Sequence, residues 1–301
     1  DDFSMTCEGE GAEHLQSLNE KNLVCVGVKT AFEYVGEELP PLKYTCRNRI
    51  PFGKGLGSSS AAIVGGLIAG LALCGKELKV FGEDSLYSGG VTAEPEELLQ
   101  LACKIEGHPD NVAPAIYGGI QLGIKMRNGK WRSSRVNCPA DLQMVAYIPN
   151  VVGVTAELRK VLKSKIPRQD AIFNIGRVAF LVNSLSQNKL YDLRYGTEDV
   201  LHQPPRASVY PYLYPLMNAA LSAGAHAVYL SGAGPTVLAI TSGAAGDTFT
   251  QHGSERMERA IADAMILAGQ KHCSKPGNVY ITRPVMQGAY IVKADPPFSK
   301  G

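Results

Sequence analysis

The stretch Pro51-Phe52-Gly53-Lys54-Gly55-Leu56-Gly57-Ser58-Ser59-Ser60-Ala61 sets three alternating glycines and three serines ahead of an apolar run from Ala61 to Leu73. Glycine tolerates positive φ and lets backbone N–H groups come close to a ligand. The small residues that follow open a helix, whose first N–H groups lack partners and carry the positive end of the dipole. The combination predicts an anion cradle, with phosphate as the anion. The competing reading is a Gly/Ser turn that starts a helix and binds nothing. Two familiar phosphate loops are excluded. No Gly-x-x-x-x-Gly-Lys-Ser/Thr string occurs, and Gly53, Gly55 and Gly57 alternate instead of following the dinucleotide spacing.

Around this loop the chain reads as an α+β protein with a largely antiparallel sheet in its second half. Residues 43–50 alternate as a strand into the glycine loop, and a buried helix spans about 58–74. Glu94-Pro95-Glu96-Glu97 opens a helix running to about Glu106, with proline and acids in its first turn. A strand over 118–124 is followed by an Asn128-Gly129 turn and strands near 131–136 and 142–148. Helical periodicity covers about 155–163, 169–187 and 211–223. The strands Ala225–Leu230 and Thr236–Thr241 flank a glycine loop. A helix over about 245–269 and strands near 278–283 and 288–293 end the series. A domain boundary is expected at Pro149–Thr155, dividing the chain into 1–150 and 151–301.

Composition narrows the class. Apolar residues make up 45% and charged residues 19% of 301 residues, with a net charge of +2, so no bulk field points to nucleic acid or to a membrane surface. The apolar run near Ala61–Cys74 is interrupted by Gly65, Gly66 and Gly70. It is shorter than the roughly 18–20 residues of a membrane span. The seven cysteines (7, 25, 46, 74, 103, 138 and 273) include no CxxC pair, which favours reduced thiols over a disulfide framework or a zinc site.

Two further strings concentrate chemistry. Glu106-Gly107-His108-Pro109-Asp110-Asn111 places two carboxylates, an imidazole and a carboxamide within six residues; its bland reading is a helix end followed by a polar turn. Leu230-Ser231-Gly232-Ala233-Gly234-Pro235-Thr236 reads equally as a β-turn or as a second glycine loop.

Together the three strings resemble the GHMP kinases, the small-molecule kinases that include the galacto-, homoserine, mevalonate and phosphomevalonate kinases. Glu106–Asn111 followed by Val112-Ala113-Pro114-Ala115 and Gly118-Gly119 is similar to the homoserine kinase branch, as are Val154-Thr155-Ala156-Glu157-Leu158-Arg159 and Gln203-Pro204-Pro205-Arg206. The resemblance implies a two-domain fold. An S5-like α/β domain would bind ATP, and a C-terminal ferredoxin-like sheet with helices would form the substrate side. It implies ATP-dependent phosphorylation of the L-homoserine hydroxyl, a step towards threonine, by direct in-line transfer with Mg²⁺.

The site residues follow from the same resemblance. The loop Pro51, Gly53, Lys54, Gly55, Leu56, Gly57, Ser58, Ser59 and Ser60 would hold the ATP phosphates, with Ser59 and Glu106 on Mg²⁺. Relatives carry that glutamate one helical turn earlier, where this chain has Ala102. Asn111 would orient the substrate hydroxyl with His108 beside it. Asp110 is read as a structural neighbour on the substrate side, in preference to a base. Thr155, Arg159 and Arg206 would contact the amino acid, the arginines through its carboxylate, and Gly232 and Gly234 would flank it. The expected partner is a small molecule, with neither nucleic acid nor membrane, and a homodimer follows by analogy. The expected compartment is the cytoplasm, or a plastid where a transit peptide precedes the chain.

One family feature is not found. Nothing before Tyr44 resembles the opening Pro-x-Ser-x-Asn-Leu-Gly segment, so the resemblance implies that the first strands are missing and that the first sheet keeps an unpaired edge. Activity of the chain as it stands is then open. Two alternatives remain: another kinase of the family, acting on mevalonate-type or sugar alcohols, and a non-catalytic member that senses a ligand.

Overall fold

The computed structural model describes residues 3–78, 91–93, 95–151, 158, 160–243 and 257–292. These fall into two compact units. One comprises residues 1–52, 57–135 and 285–301, the other 53–56 and 136–284. The chain thus passes between units inside the glycine loop.

In the first unit, Met5 and Cys7 turn inward while Ser4, Thr6 and Glu8 face out, the period-two pattern of a half-buried strand. This strand, β1 (Ser4–Gly9), pairs in parallel with β2 (Lys43–Asn48), Ser4 opposite Lys43 and Gly9 opposite Asn48. Every residue of β2 thus has a partner on β1, in a two-stranded sheet. Helices α1 (Ala12–Ser17) and α2 (Leu23–Val35) lie in the crossover. Asn22 caps α2 by accepting from the Val24 N–H at 3.0 Å, and Gly36 in the left-handed region ends it.

Helix α3 (Ser58–Leu73) buries Ile63, Val64, Leu67, Ile68 and Leu71. Its glycines do not break it. A Cβ on Gly66 would lie 2.2 Å from the Val24 carbonyl oxygen, so the α2 backbone already occupies that space. After a short parallel pair, β3 (Lys76–Leu78) with β4 (Val91–Ala93), helix α4 (Pro95–Glu106) adds Leu98, Leu99, Leu101 and Ala102 to the same core. A short helix that the sequence reading did not include, α5 (Val112–Tyr117), closes that core with Val112, Ala113 and Ile116. Strands β5 (Ile120–Lys125) and β6 (Trp131–Val136) pair across the Asn128-Gly129 turn, where Gly129 has φ 83°.

The second unit is a four-stranded antiparallel sheet of order β10-β7-β9-β8, built from β7 (Gln143–Ile148), β8 (Ala227–Leu230), β9 (Val237–Thr241) and β10 (Asn278–Thr282). Gln143 pairs with Thr241, Ala227 with Ile240 and Asn278 with Ile148. In chain order these strands take the places 4-1-3-2, with helices between the first and second and between the third and fourth. That is the split βαβ arrangement of ferredoxin-like folds. The first crossover carries α6 (Arg168–Ser186), α7 (Leu193–Gly196), α8 (Gln203–Ala207) and α9 (Leu213–Ser222). The second carries α10 (Met257–His272). Leu213, Leu216, Ile261 and Met265 from α9 and α10 pack on Val145, Tyr147, Val228, Val237 and Ala239.

The expected strand near 288–293 is not formed among the described residues. The segment instead returns to the first unit, where the Ala289 N–H donates to the Ala115 carbonyl at 2.8 Å and Ala289 and Ile291 cover the α5 core. Its alternating apolar residues are real, but a helix end and not a strand receives them. The helix expected over 155–163 lies mostly outside the described residues, as does the start of the one expected over 245–269. No helix of the described chain is long and apolar enough to cross a membrane.

Candidate functional site

At Gly55 the glycine loop packs directly on the backbone of the Ser231–Gly234 loop. Gly55 sits at φ 73°, and a Cβ there would lie 2.4 Å from the Ser231 carbonyl oxygen and 2.7 Å from that of Gly234. Gly57, at φ 78°, is the N-cap of α3 and offers no side-chain cap. The leading N–H groups of α3 are thus left to a ligand. Of the serines, Ser59 is exposed and Ser60 is fully buried with an unpartnered hydroxyl. Ser58 Oγ accepts from Asn48 Nδ2 at 3.2 Å. Ser60 is thus closed off on all sides, while Ser59 can offer its hydroxyl. The Lys54 ammonium meets backbone oxygens: Nζ donates to the carbonyls of Pro149 at 2.9 Å and Val151 at 2.6 Å. Pro51, Gly53 and Leu56 are half-buried in the loop.

In the first unit the Asn111 side chain lies against the N-cap of α3, 3.8 Å from where a Gly57 Cβ would stand. Asn111 occupies the N-cap position of α5 without using its amide to cap that helix, so the carboxamide remains available. His108 Nδ1 stands 3.8 Å from Asp110 Oδ2, and the Asp110 side chain is 74% exposed. Glu106 closes α4, half-buried, whereas Ala102 one turn earlier is fully buried in the core. Burial, with help from the Asp110 and Glu106 carboxylates, raises the Cys103 thiol to about 11.

In the second unit Arg206 is 5% exposed and its Nη1 donates to the Gly232 carbonyl at 2.8 Å. Gly232 (φ 54°) and Gly234 (φ 84°) both adopt the left-handed region, and Gly234-Pro235 is cis. Tyr210 packs against Gly234, leaving 2.5 Å between its Cε2 and an added Cβ. Burial pushes the Tyr210 phenol up to about 12, with Arg206 pulling the other way. Thr155 and Arg159 lie outside the described residues.

Sequence reasoning passed over three residues that organise these parts. Asn48, at the end of β2, donates to Glu10 O and Ser58 Oγ and accepts from the Ile50 N–H. Asp199 accepts from the N–H groups of Leu201 at 3.1 Å and His202 at 2.8 Å, and from Asn174 Nδ2 at 2.6 Å. Burial opposes its ionisation, but these donors outweigh it and hold its carboxyl below the usual range. An aspartate ahead of a proline-bearing helix start was the available signal. Gln203 sat inside a quoted string without a role of its own.

The fit to cosubstrate and metal rests on this geometry. The start of α3, which no side chain caps, suits a phosphate group. The Ser59 hydroxyl and Glu106 carboxylate are hard oxygen donors of the kind Mg²⁺ accepts beside phosphate oxygens. Among the described residues no three His, Cys, Asp or Glu side chains gather into an all-protein cage.

Comparison with known proteins agrees with this architecture. The GHMP kinases N-terminal domain matches residues 22–119 and the GHMP kinases C-terminal domain residues 183–263. The homoserine kinase of Caldanaerobacter subterraneus subsp. tengcongensis is 40% identical over 295 residues, 98% of this chain and 82% of that protein. That of Carboxydothermus hydrogenoformans is 38% identical over 281 residues, 93% and 82% of the two chains. A crystal structure of homoserine kinase from Cytophaga hutchinsonii superposes with a TM-score of 0.74 at 24% identity, covering 95% of this chain and 83% of that one. Mevalonate kinase from L. major gives 0.59 at 14% identity over 93% and 83%. Both structures speak to the fold alone. An uncapped glycine loop, a ferredoxin-like second unit and matches along nearly the whole length lead to one conclusion: the chain belongs to the GHMP kinase family, alongside the homoserine kinases, and is a kinase that uses ATP on a small-molecule substrate.

Proposed function

We propose that the chain transfers the γ-phosphoryl group of ATP to the side-chain hydroxyl of L-homoserine, giving O-phospho-L-homoserine and ADP. The observation that carries the reading is the Asn111 carboxamide lying against Gly57 at the uncapped start of α3. A neutral amide that can orient an alcohol stands beside a cradle that can hold phosphate. The substrate oxygen would form the new P–O bond as the bond to the ADP oxygen breaks, and its proton would leave to water. Such transfer asks mainly for positioning and charge neutralisation, so no strong base is required, in keeping with the exposed Asp110.

The backbone of Gly55, Gly57 and Ser58 would hold the phosphates. Ser59 and Glu106 would hold Mg²⁺, which when bound neutralises phosphate charge. Arg206, with Thr155 and Arg159 from the family resemblance, would bind the amino-acid end, and a guanidinium suits that carboxylate. His108, Gly232 and Gly234 would wall the substrate. In this reading phosphate binding belongs chiefly to residues 1–150 and substrate binding chiefly to 151–301.

The test is ADP release with Mg·ATP and L-homoserine, run beside mevalonate and galactose. Homoserine-dependent ADP that is lost in Asn111→Ala and Arg206→Ala is the expected result. ADP formed with mevalonate or galactose in place of homoserine would overturn the substrate assignment, and silence with all three alcohols would overturn phosphotransfer by this chain.

A further inference from the structure

Gln203 is 4% exposed, and its side chain uses both ends of the amide. Oε1 accepts from the backbone N–H of Leu230, the last residue of β8, at 2.9 Å, and Nε2 donates to the Thr197 carbonyl at 3.1 Å. One turn later on the same short helix, Arg206 donates to the Gly232 carbonyl at 2.8 Å. Residues three apart share a helix face. Helix α8 is therefore stitched twice along one edge, at Leu230 before the glycine loop and at Gly232 within it. Asp199 fixes the start of α8 through the N–H groups of Leu201 and His202, and ties it to Asn174 on α6.

From this arrangement we infer that Gln203 is a positioning residue for Arg206, setting the guanidinium and the Ser231–Gly234 loop in one register so that the substrate carboxylate can be recognised. The inference rests on the proposed role of Arg206 at that carboxylate. Gln203 touches no substrate itself. Removing its amide leaves the Leu230 N–H without its acceptor inside the protein, a cost that the structure can relieve only by shifting α8 or the loop. Either shift moves Arg206 relative to Gly232. Because α8 has only five residues, it has little structure of its own to resist the movement.

The test uses the full chain and two alcohols, L-homoserine and 3-aminopropan-1-ol, the same molecule without its carboxylate. The ratio of their kcat/KM values reads carboxylate recognition alone. In Gln203→Met that ratio is expected to fall roughly tenfold or more, as misplacement of a positioning group does. Arg206→Ala is expected to lose the ratio as well, and the double variant to lose no more than Arg206→Ala. Gln203→Asn, whose amide falls one methylene short of Leu230, replaces Gln203→Met if that variant does not fold, with the same expected direction. A variant that slows both alcohols equally, or leaves the ratio unchanged, overturns the inference while the kinase reading stands. A wild-type chain without homoserine-dependent ADP release overturns the reading beneath it.

Discussion

Ser231 Oγ donates to the carbonyl of Gly55 at 2.8 Å, while the Ser231 carbonyl oxygen occupies the space a Gly55 Cβ would need. Two loops 176 residues apart in sequence thus lock face to face, one by a hydroxyl and the other by lacking a side chain. The contact brings Gly55 and the Ser231-Gly232-Ala233-Gly234 string together across that sequence distance. The second loop sets the shape of the first.

Replacing Gly55 by alanine should therefore do more than strain one residue. The added Cβ meets backbone oxygens at 2.4 and 2.7 Å at a φ of 73°, so the loop must move, at a cost of roughly 1–3 kcal/mol. ATP-dependent turnover should fall by a factor of ~100 or more, as misplacement near the reacting groups does. Ser231→Ala removes only the hydroxyl bond, worth about 1 kcal/mol, and should lower Tm by about 2–4 °C. Steady-state ATP kinetics and calorimetry on both variants check this. Equal effects from the two would sink the interlocked account.

Lys54 gives a second contrast. A lysine inside a phosphate loop invites assignment to phosphate, yet its ammonium binds the carbonyls of Pro149 and Val151 just past β7. Lys54→Met should lower stability by about 1.5–3 kcal/mol, the range for a hydrogen bond to a charged group. Its ATP affinity should change by less than about fivefold, under 1 kcal/mol. Titration of ATP against the folded variant decides: a loss of two orders of magnitude in affinity with unchanged Tm would return Lys54 to the phosphate.

Much of this architecture was legible because local chemistry and tertiary packing agree. The glycine loop, α3, the Pro95 helix start and the antiparallel strands of the second unit each carry their own signal, in φ requirement, apolar run or capping residue. Three features resisted for separate reasons. Helix α2 did carry Asn22 as cap and Gly36 as stop, but no family string drew attention to it. Helix α5 is six residues long and contains Pro114, so neither length nor propensity marks it. The segment at 288–292 alternates like a strand, and only the return of the chain to α5 reveals that it pairs with a helix end. Within the candidate site, the roles expected of Asn111 and Arg206 come from the family resemblance, because a lone turn asparagine and a lone loop arginine carry no such signal by type. The roles of Asn48, Asp199 and Gln203 exist only as hydrogen bonds across sequence distance.

Stability should fall on mild acidification. Burial holds His202 below the ordinary histidine range, and the nearby Arg206 adds to this against Asp199. Burial likewise lowers His226, whose Nε2 lies 2.7 Å from Ser242 Oγ. With native pKa values below the unfolded value of about 6.5, the unfolded chain binds more protons as pH drops through that value, and ΔG of unfolding drops with it. Asp199 has the opposite chemistry with the same direction. Its depressed pKa gives stability that is present above about pH 4 and lost below it. Calorimetric melting from pH 7.5 to 5.5 should show a falling Tm, with a shallower fall in His226→Gln. A flat profile over that interval would contradict the half-buried, neutral histidines.

Adjacent glycines on α3 separate helix propensity from packing. Gly65 is exposed and an added Cβ would meet nothing within 4 Å, whereas a Cβ at Gly66 would stand 2.2 Å from the Val24 carbonyl oxygen on α2. Propensity alone favours alanine over glycine by roughly 1 kcal/mol at either position. Gly65→Ala should therefore raise Tm by a few degrees at about 2–4 °C per kcal/mol. Gly66→Ala must push α2 away from α3, loosening the cluster that joins Ala31 with Ile63 and Leu67, and overpacking of this kind costs about 1–3 kcal/mol. The two variants should move Tm in opposite directions despite being neighbours of identical chemistry. If Gly66→Ala melted as high as Gly65→Ala, the close approach of α2 to α3 could not be what requires glycine there, and the core of the first unit would have to be held by the leucines and isoleucines alone.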